Sequence, residues 1–144
     1  MTEYPGWRPR NETLEDLQHE TDAAEILMAK YGIAVQKLSE NQYCFDWALS
    51  KDDQLIALAE FKQRKTKYDT LLLSAAKYEA GMRYSERLKK PFVLFVRWPD
   101  GLYSFKFPED FAPEVNLGGN SRGQNGDIEP CVFIPVSLFI KIAD

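Results

Sequence analysis

The stretch that decides the fold is QYCFDWALSKDDQLIALAEFK, residues 42–62. It contains an alternating aromatic run, a polar segment at residues 50–53 that is typical of a turn, and a second run rich in Leu, Ile and Ala. This order predicts two antiparallel strands, residues 42–49 and 54–62, joined in a hairpin that is centred on Asp53. The first strand is expected to carry its aromatic side chains on one face: Tyr43, Phe45 and Trp47.

Charged side chains lie at the end of the second strand, after an otherwise apolar row. Glu60 and Lys62 are two residues apart and therefore share a face of the strand. In a hairpin centred on Asp53, Asp46 lies opposite Glu60, with the two Cβ atoms ~5 Å apart. Two carboxylates at this distance repel each other unless a proton or a divalent cation lies between them. Ligands that are all oxygen suit Mg²⁺ or Mn²⁺ rather than zinc.

A helix is predicted upstream, over residues 13–31, and Gly32 follows its end. Four apolar residues recur at helical spacing and are expected to face the core: Leu17, Ala24, Leu27 and Tyr31. Glu20 falls on the same stripe. An acidic side chain on a buried stripe is costly unless it is paired or lies near a metal ion, so Glu20 is a third candidate carboxylate.

The rest of the chain predicts a mixed α/β domain built around one central sheet with flanking helices. Length favours a single domain over residues 1–144. The further segments are an irregular arm (1–11), strands (33–38, 92–98, 102–107 and 131–134), a helix (68–89) that ends before Pro91, a flexible loop (108–130) and a closing segment (135–142).

Composition excludes several kinds of chemistry. The chain has two cysteines and one histidine, too few for a structural zinc site of about four Cys or His ligands. A Ser-His-Asp or Cys-His site would have to use His19, which lies beside Glu20 in an acidic helix. No stretch approaches the ~20 apolar residues of a membrane span, and no signal peptide is recognisable. We therefore expect a cytoplasmic protein that does not bind membranes.

Charge is distributed unevenly along the chain. The net charge is −4, yet residues 60–90 hold nine basic and four acidic side chains. Such a basic block can be the footprint of a phosphate backbone. A solvated helix face gives the same pattern, and the charge run alone does not decide between them.

Taken together, these residues resemble the PD-(D/E)XK nuclease superfamily, which has the restriction-endonuclease-like fold. The matching pattern is Asp46, thirteen intervening residues, and then Glu60-Phe61-Lys62, with a helix carrying Glu20 upstream and a basic helix downstream. The predicted order αβββαβ matches that family's core, and small Holliday-junction-resolvase-like members are the most similar. Two positions depart from the family pattern. Phe45 stands where the family often has Pro, and Ser74 replaces the Gln of a Gln-x-x-x-Tyr motif.

The resemblance implies a Mg²⁺-dependent (or Mn²⁺-dependent) deoxyribonuclease that hydrolyses phosphodiester bonds, with structure-specific cutting in recombination or repair as one form. Asp46, Glu60, the Phe61 carbonyl and Glu20 would hold the metal, and Lys62 would orient or deprotonate the attacking water. Four basic side chains would contact DNA phosphates: Arg64, Lys65, Lys67 and Lys77. A homodimer is compatible with this reading, because resolvase-like members cut two strands symmetrically.

Two other functions stay open at this stage. The acidic net charge and the missing Gln-x-x-x-Tyr motif are compatible with a catalytically silent nuclease-like module that binds DNA or a partner protein. A protein-interaction domain that docks through the aromatic arm, with Tyr4 and Trp7, is the other alternative.

Overall fold

The computed structural model describes residues 14–119 and 128–144. The predicted arm (1–11) and the middle of the predicted loop lie outside these residues. The elements, in chain order, are α1 (Leu14–Tyr31), β1 (Ala34–Lys37), β2 (Trp47–Lys51), β3 (Gln54–Gln63), β4 (Thr70–Ser74), α2 (Ala75–Leu88), β5 (Phe92–Trp98), β6 (Gly101–Lys106), β7 (Glu114–Gly118), β8 (Glu129–Pro135), a 3-10 turn (Val136–Leu138) and β9 (Ile140–Ala143).

The central sheet has six strands in the order β1-β2-β3-β5-β6-β9. β3 and β5 are parallel, and the other neighbours are antiparallel, so the predicted central sheet is a mixed sheet. A smaller antiparallel sheet has the order β4-β8-β7. No helix among the described residues is long and apolar enough to cross a bilayer.

The two faces of the central sheet bury separate apolar clusters. On one face α1 packs Ala23 and Leu27 against Trp47, Ala59 and Phe61. On the other face, α2 and the small sheet cover a cluster that includes Leu58, Leu94 and Leu73. α2 approaches β5 closely at Gly81, where a Cβ atom would collide with the Phe92 ring. The side chains of β3 therefore alternate between an α1 face and an α2 face.

A two-residue turn and an irregularity in the ladder set the register of the β2–β3 hairpin. Asp52 and Asp53 both have positive φ values, 51° and 62°, as a type I′ turn requires. The register then shifts by one residue near Leu49 and Ser50, as in a β-bulge, and Trp47 pairs with Ala59. Continued by one residue, this register sets Asp46 opposite Glu60.

Three predicted elements near the hairpin and in α1 are wrong in detail. β2 begins at Trp47 rather than at residue 42, because residues 39–43 close a hydrogen-bonded turn instead. Phe45 and Trp47 consequently belong to opposite faces of the sheet. In α1 the buried residues are Glu20, Ala23 and Leu27, whereas Leu17 and Tyr31 are exposed.

Two further predictions fail because of the small sheet. Residues 70–74 form β4 rather than the start of a helix, and they pair with β8 about sixty positions later. The predicted loop (108–130) contains β7 and the beginning of β8. Both segments take their extended form from a distant partner strand, which local sequence does not report.

Candidate active site

The candidate site lies where β3 nears its end, on the α2 face of the central sheet. Glu60 and Lys62 project from β3, Asp46 lies just before β2, and Lys77 comes from the first turn of α2. Leu58, the preceding residue on this face, belongs to the α2-side cluster. Three of the residues that the sequence predicts as catalytic, Asp46, Glu60 and Lys62, therefore lie together.

Glu60 is the buried centre of this group, with 1% of its surface exposed. Its Oε2 atom accepts a hydrogen bond from Lys77 Nζ at 2.6 Å and lies 3.9 Å from Lys62 Nζ. Its Oε1 atom is buried and has no hydrogen-bond partner among residues 14–119 and 128–144. Burial raises the pKa of the Glu60 carboxyl from 4.5 to about 7, and the charge of Asp46 adds to this rise.

Lys62 is also largely buried, with 14% of its side chain exposed. Burial lowers the pKa of its ammonium group to about 8, and the positive charge of Arg64 contributes to this lowering. Glu60 and Asp46 oppose the change but do not cancel it. A lysine in this setting is a strong local cation, because little water screens its charge.

Asp46 is held at the site by the backbone of β3. Its Oδ2 atom accepts a 2.8 Å hydrogen bond from the Phe61 N–H group. The Asp46 N–H group donates to the Ala59 carbonyl at 3.1 Å, so the backbone around Asp46 is fixed as well. The charge of Asp46 acts on Glu60, Lys62 and Lys77. The carboxylate is thus oriented by β3 and couples to every charged group of the site.

Lys77 has a different position from the one that the sequence suggests. It is predicted as a contact to DNA phosphates, but here its ammonium group bonds to Glu60. Burial lowers the pKa of Lys77, yet the charge and hydrogen bond of Glu60 outweigh burial and leave the pKa above its ordinary value. About a third of the side chain, 36%, remains exposed. Lys77 thus neutralises Glu60 while keeping access to solvent.

The structure does not bring Glu20 into this group. Its Oε1 atom accepts from Lys37 Nζ at 3.0 Å, and its Oε2 atom accepts from Trp47 Nε1 at 2.9 Å. Trp47 packs in the α1-side cluster, so Glu20 lies on the face opposite to Glu60. Among the described residues no set of three Asp, Glu, His or Cys side chains is arranged to hold a metal ion. Instead, both carboxylate oxygens of Glu20 accept hydrogen bonds from other side chains, as is usual for a buried carboxylate.

Replacing Glu20 with Ala is expected to destabilise the protein without weakening divalent-cation binding. The substitution leaves the buried Trp47 N–H group without its acceptor, which costs about 1–3 kcal/mol of unfolding free energy. Urea unfolding measures this loss, and calorimetry with Mn²⁺ measures the affinity. Glu25→Ala, an exposed change on the same helix, is the matched control and should stay within about 0.5 kcal/mol. A large loss of Mn²⁺ affinity in Glu20→Ala alone would make Glu20 a ligand after all.

The other basic residues that are predicted to contact DNA phosphates differ in their surroundings. Lys67 is engaged by Asp100 and by the Tyr103 hydroxyl, at 3.0 and 2.9 Å. Arg64 donates to the Gln63 carbonyl at 2.8 Å and lies close enough to Lys62 to influence its charge. Lys65 is exposed. Only part of the predicted basic surface is therefore available in this conformation.

A hard divalent cation fits the donor set of this site. Within the described residues, Glu60 offers a buried carboxylate oxygen without a hydrogen-bond partner, Asp46 offers a second carboxylate, and Phe61 follows Glu60 directly and donates its N–H group to Asp46. Mg²⁺ is usually bound through one or two carboxylates together with water and substrate phosphates, not by an all-protein cage. Two carboxylates without a third are therefore sufficient for such an ion.

The chain is similar to known nucleases over most of its length. A family model described as "Phage putative PDDEXK endonuclease" matches residues 6–142. No curated protein matches the sequence significantly. Among solved structures, the chain is similar to Hjc, a Holliday junction resolvase from the archaeal hyperthermophile Archaeoglobus fulgidus. The TM-score is 0.59 at 18% identity, over 89% of this chain and 92% of that chain. This likeness confirms the restriction-endonuclease-like fold.

Proposed function

The chain belongs to the phage PDDEXK endonuclease family, and we propose that it cleaves DNA phosphodiester bonds with a divalent cation at Asp46 and Glu60. The observation that carries this proposal is the buried Glu60 carboxylate, whose Oε1 atom has no partner within the described residues. Asp46 and two lysines surround it. A buried group of this kind, with a strongly shifted pKa and specific charged neighbours, is typical of a functional site.

Asp46, Glu60 and the Phe61 carbonyl would hold the cation. The chemistry that such a cation supplies is acidification of the attacking water and neutralisation of charge on the phosphate. The protein's own part is to fix two carboxylates at one edge of a rigid sheet. Asp46 is oriented by the Phe61 N–H group, and Glu60 is oriented by its place in the parallel β3–β5 ladder.

Lys62 would act as a fixed positive charge beside the reacting phosphate. Its ammonium group is mostly shielded from water and lies 3.9 Å from Glu60 Oε2. In this setting it can donate hydrogen bonds to a phosphate oxygen or to the attacking water, and it stabilises the extra negative charge of the transition state. Lys77 neutralises Glu60 and would be free to turn towards the substrate when a cation takes over this task.

The substrate class that we propose is branched DNA, with linear duplex as the comparison. The support is the fold shared with a Holliday junction resolvase. Symmetric cutting of a junction requires two active sites, and a dimer of this chain would supply them. Cleavage of a four-way junction and of a duplex with the same sequence, together with sedimentation of the protein, separates these properties.

Cation binding and cleavage are expected to appear together. Mn²⁺ should bind at one saturable site by calorimetry, and Mg²⁺ or Mn²⁺ should be required for cleavage of labelled DNA. The affinity should fall as the pH is lowered from about 8 to about 6, because protonation of Glu60, whose pKa is raised to about 7, competes with the cation.

A catalytically silent module gives a different result in the same experiment. There, the Lys77–Glu60 ion pair would serve as the permanent replacement for a cation. DNA binding without turnover, and calorimetry without a saturable Mn²⁺ site, would establish this alternative and reject the enzymatic proposal.

A further inference from the structure

A cavity of about 330 Å³ lies at the carboxyl ends of β3 and β5, and its lining shares no residue with the candidate active site. Its lining consists of His19, Gln63, Lys65, Arg97, Trp98 and Pro99. Crevices beyond the carboxyl ends of parallel strands are common ligand sites in α/β proteins. The volume lies at the small end of the ~300–1,000 Å³ that ligand pockets span.

The charge of this cavity is opposite to that of the protein. The chain as a whole has a net charge of −4, whereas the described residues that line the cavity include two cationic side chains, Lys65 and Arg97, and no carboxylate. Its further polar groups are the Gln63 amide and the His19 imidazole, both hydrogen-bond donors. The Glu15 carboxylate lies 3.6 Å from His19 Nε2 but does not line the cavity. The lining therefore suits a small anion.

The backbone fixes these donors relative to one another. Gln63 pairs with Arg97 in the parallel ladder, and the Arg64 N–H group extends that ladder by donating to the Arg97 carbonyl at 2.9 Å. Lys65 follows directly and is exposed. Within the described residues Arg97 donates to the main-chain oxygen of Asp144 at 3.1 Å, and its charge helps to lower the pKa of the Asp144 side chain. The guanidinium group has further N–H donors besides this one.

The position of the cavity along β3 relates it to Lys62. Gln63 is the next residue after Lys62, and successive side chains of a strand point to opposite faces with a rise of ~3.3 Å. Lys62 and Gln63 therefore face opposite sides of the sheet, and a nucleic-acid strand with one phosphate at Lys62 would bring a neighbouring phosphate to the cavity by crossing this end of β3. Of the two apolar residues in the lining, Trp98 is buried, whereas Pro99 is exposed and can contact the attached sugar.

We propose that the cavity formed by Lys65, Arg97, Gln63 and His19 binds one phosphate group of the DNA strand that is cut at Lys62. This inference rests on the proposed function for the location of the scissile bond. The phosphate is either an internal phosphodiester or the terminal phosphate of a strand end. Both present the same anionic oxygens, and charge-assisted hydrogen bonds from Arg and Lys are the strong ones for such a group.

Binding without catalysis tests the cavity directly. Fluorescence anisotropy in EDTA measures the affinity for labelled duplex, so that cleavage does not enter. Lys65→Gln and Arg97→Gln are each expected to weaken binding about tenfold and to lower the salt slope by about 0.9. Lys51→Gln, at the exposed turn at the other end of β3, is the matched control and should bind as the parent does.

Chemically modified DNA distinguishes the two sources of the phosphate. For an internal phosphodiester, one neutral methylphosphonate near the cut should weaken binding to the parent but not further weaken binding to Lys65→Gln. For a terminal phosphate, the same non-additivity should appear on removal of the 5′-phosphate or the 3′-phosphate. If the loss of affinity caused by the modified DNA and the loss caused by Lys65→Gln are additive at every modified position, no single phosphate occupies the cavity. That result would overturn the proposal.

His19 gives a second readout that does not require a substitution. It is the only histidine of the chain, so its imidazole signals are unambiguous in an NMR spectrum. They should shift on titration with DNA in EDTA and shift much less in Arg97→Gln. Unchanged His19 signals, with parent-like affinity of both cavity variants, would reject the cavity even if the parent cleaves DNA with Mg²⁺. A cavity effect on binding by a protein that never cleaves would instead reject only the proposed function.

Discussion

Replacing Lys62 with Met is expected to lower kcat for DNA cleavage about 10³-fold, equivalent to about 4 kcal/mol of transition-state stabilisation. Methionine retains the apolar stem and removes the charge from a side chain that is only 14% exposed. Mn²⁺ should still bind, and with equal or higher affinity, because a positive charge 3.9 Å from Glu60 Oε2 has been removed. Single-turnover cleavage at saturating Mn²⁺, with calorimetry on the same sample, measures both quantities.

Lys51→Met is the control for this experiment, because Lys51 is exposed at the β2–β3 turn. It should cleave at the parent rate. A threefold change in rate is too small for a charge that stabilises a transition state. If Lys62→Met also cleaves within about threefold of the parent, Lys62 therefore has no role in the chemical step. A Lys62→Met protein that has lost Mn²⁺ binding as well would point to a structural role for the lysine instead.

The Asp46→Asn substitution is expected to abolish cation binding and cleavage without loss of stability. The Asn side-chain oxygen can still accept the Phe61 N–H bond that Asp46 accepts at 2.8 Å. The lost charge should reduce Mn²⁺ affinity at least about 100-fold and lower the cleavage rate about 10³-fold or more. The unfolding free energy in EDTA should change little, because the charge of Asp46 repels the Glu60 carboxylate but attracts Lys62 and Lys77.

Calorimetry, urea unfolding and cleavage on one preparation separate these effects. Asp110→Asn removes an exposed carboxylate and should leave all three measurements unchanged. A purely structural Asp46 predicts the reverse pattern, with a lower unfolding free energy and parent-like Mn²⁺ affinity. That result would remove Asp46 from the proposed ligands.

The hairpin and its charged end could be predicted from the sequence because they depend on neighbours along the chain. The turn residues Asp52 and Asp53 and the apolar run before Glu60 are local signals. The irregularity in the register near Ser50 was not visible, yet a hairpin centred on Asp53 gives the same pairing of Trp47 with Ala59 as the structure does. The predicted hairpin therefore sets Asp46 opposite Glu60, as the observed register does, although it lacks the two-residue turn and the irregularity near Ser50.

The small sheet could not be predicted, because both of its unforeseen strands depend on β8. Residues 70–74 form an apolar run that suits the start of a helix as well as a strand, and pairing with Glu129–Pro135 decides between them. Residues 114–118 are exposed along almost their whole length, so no pattern of burial marks them as β7. Long-range hydrogen bonding is the missing information in both cases.

The positions of two charged residues of the predicted site could not be derived from the sequence, because they depend on how the helices pack against the sheet. Glu20 is buried, as its place on the helical stripe suggests, but its partners Lys37 and Trp47 lie on the α1 face. Lys77 reaches Glu60 from the first turn of α2, which begins at Ala75, seven residues after the predicted start of the helix at residue 68. The sequence around a lysine in the first turn of a helix does not indicate that the lysine pairs with a buried carboxylate on a neighbouring strand.

The shift of register near Ser50 also constrains how this hairpin can change in length. The extra β3 residue lies between the turn and Glu60, so it adds one position to the spacing between Asp46 and Glu60 without moving them apart. Deleting it would make the ladder regular and leave the two carboxylates opposite each other, whereas slippage of the ladder itself by one residue would turn one of them to the other face. In divergent sequences the spacing between the two acidic positions is thus expected to change by one where the irregularity is lost and by two where each strand gains a residue, so the cross-strand pairing is a more durable signature than the spacing.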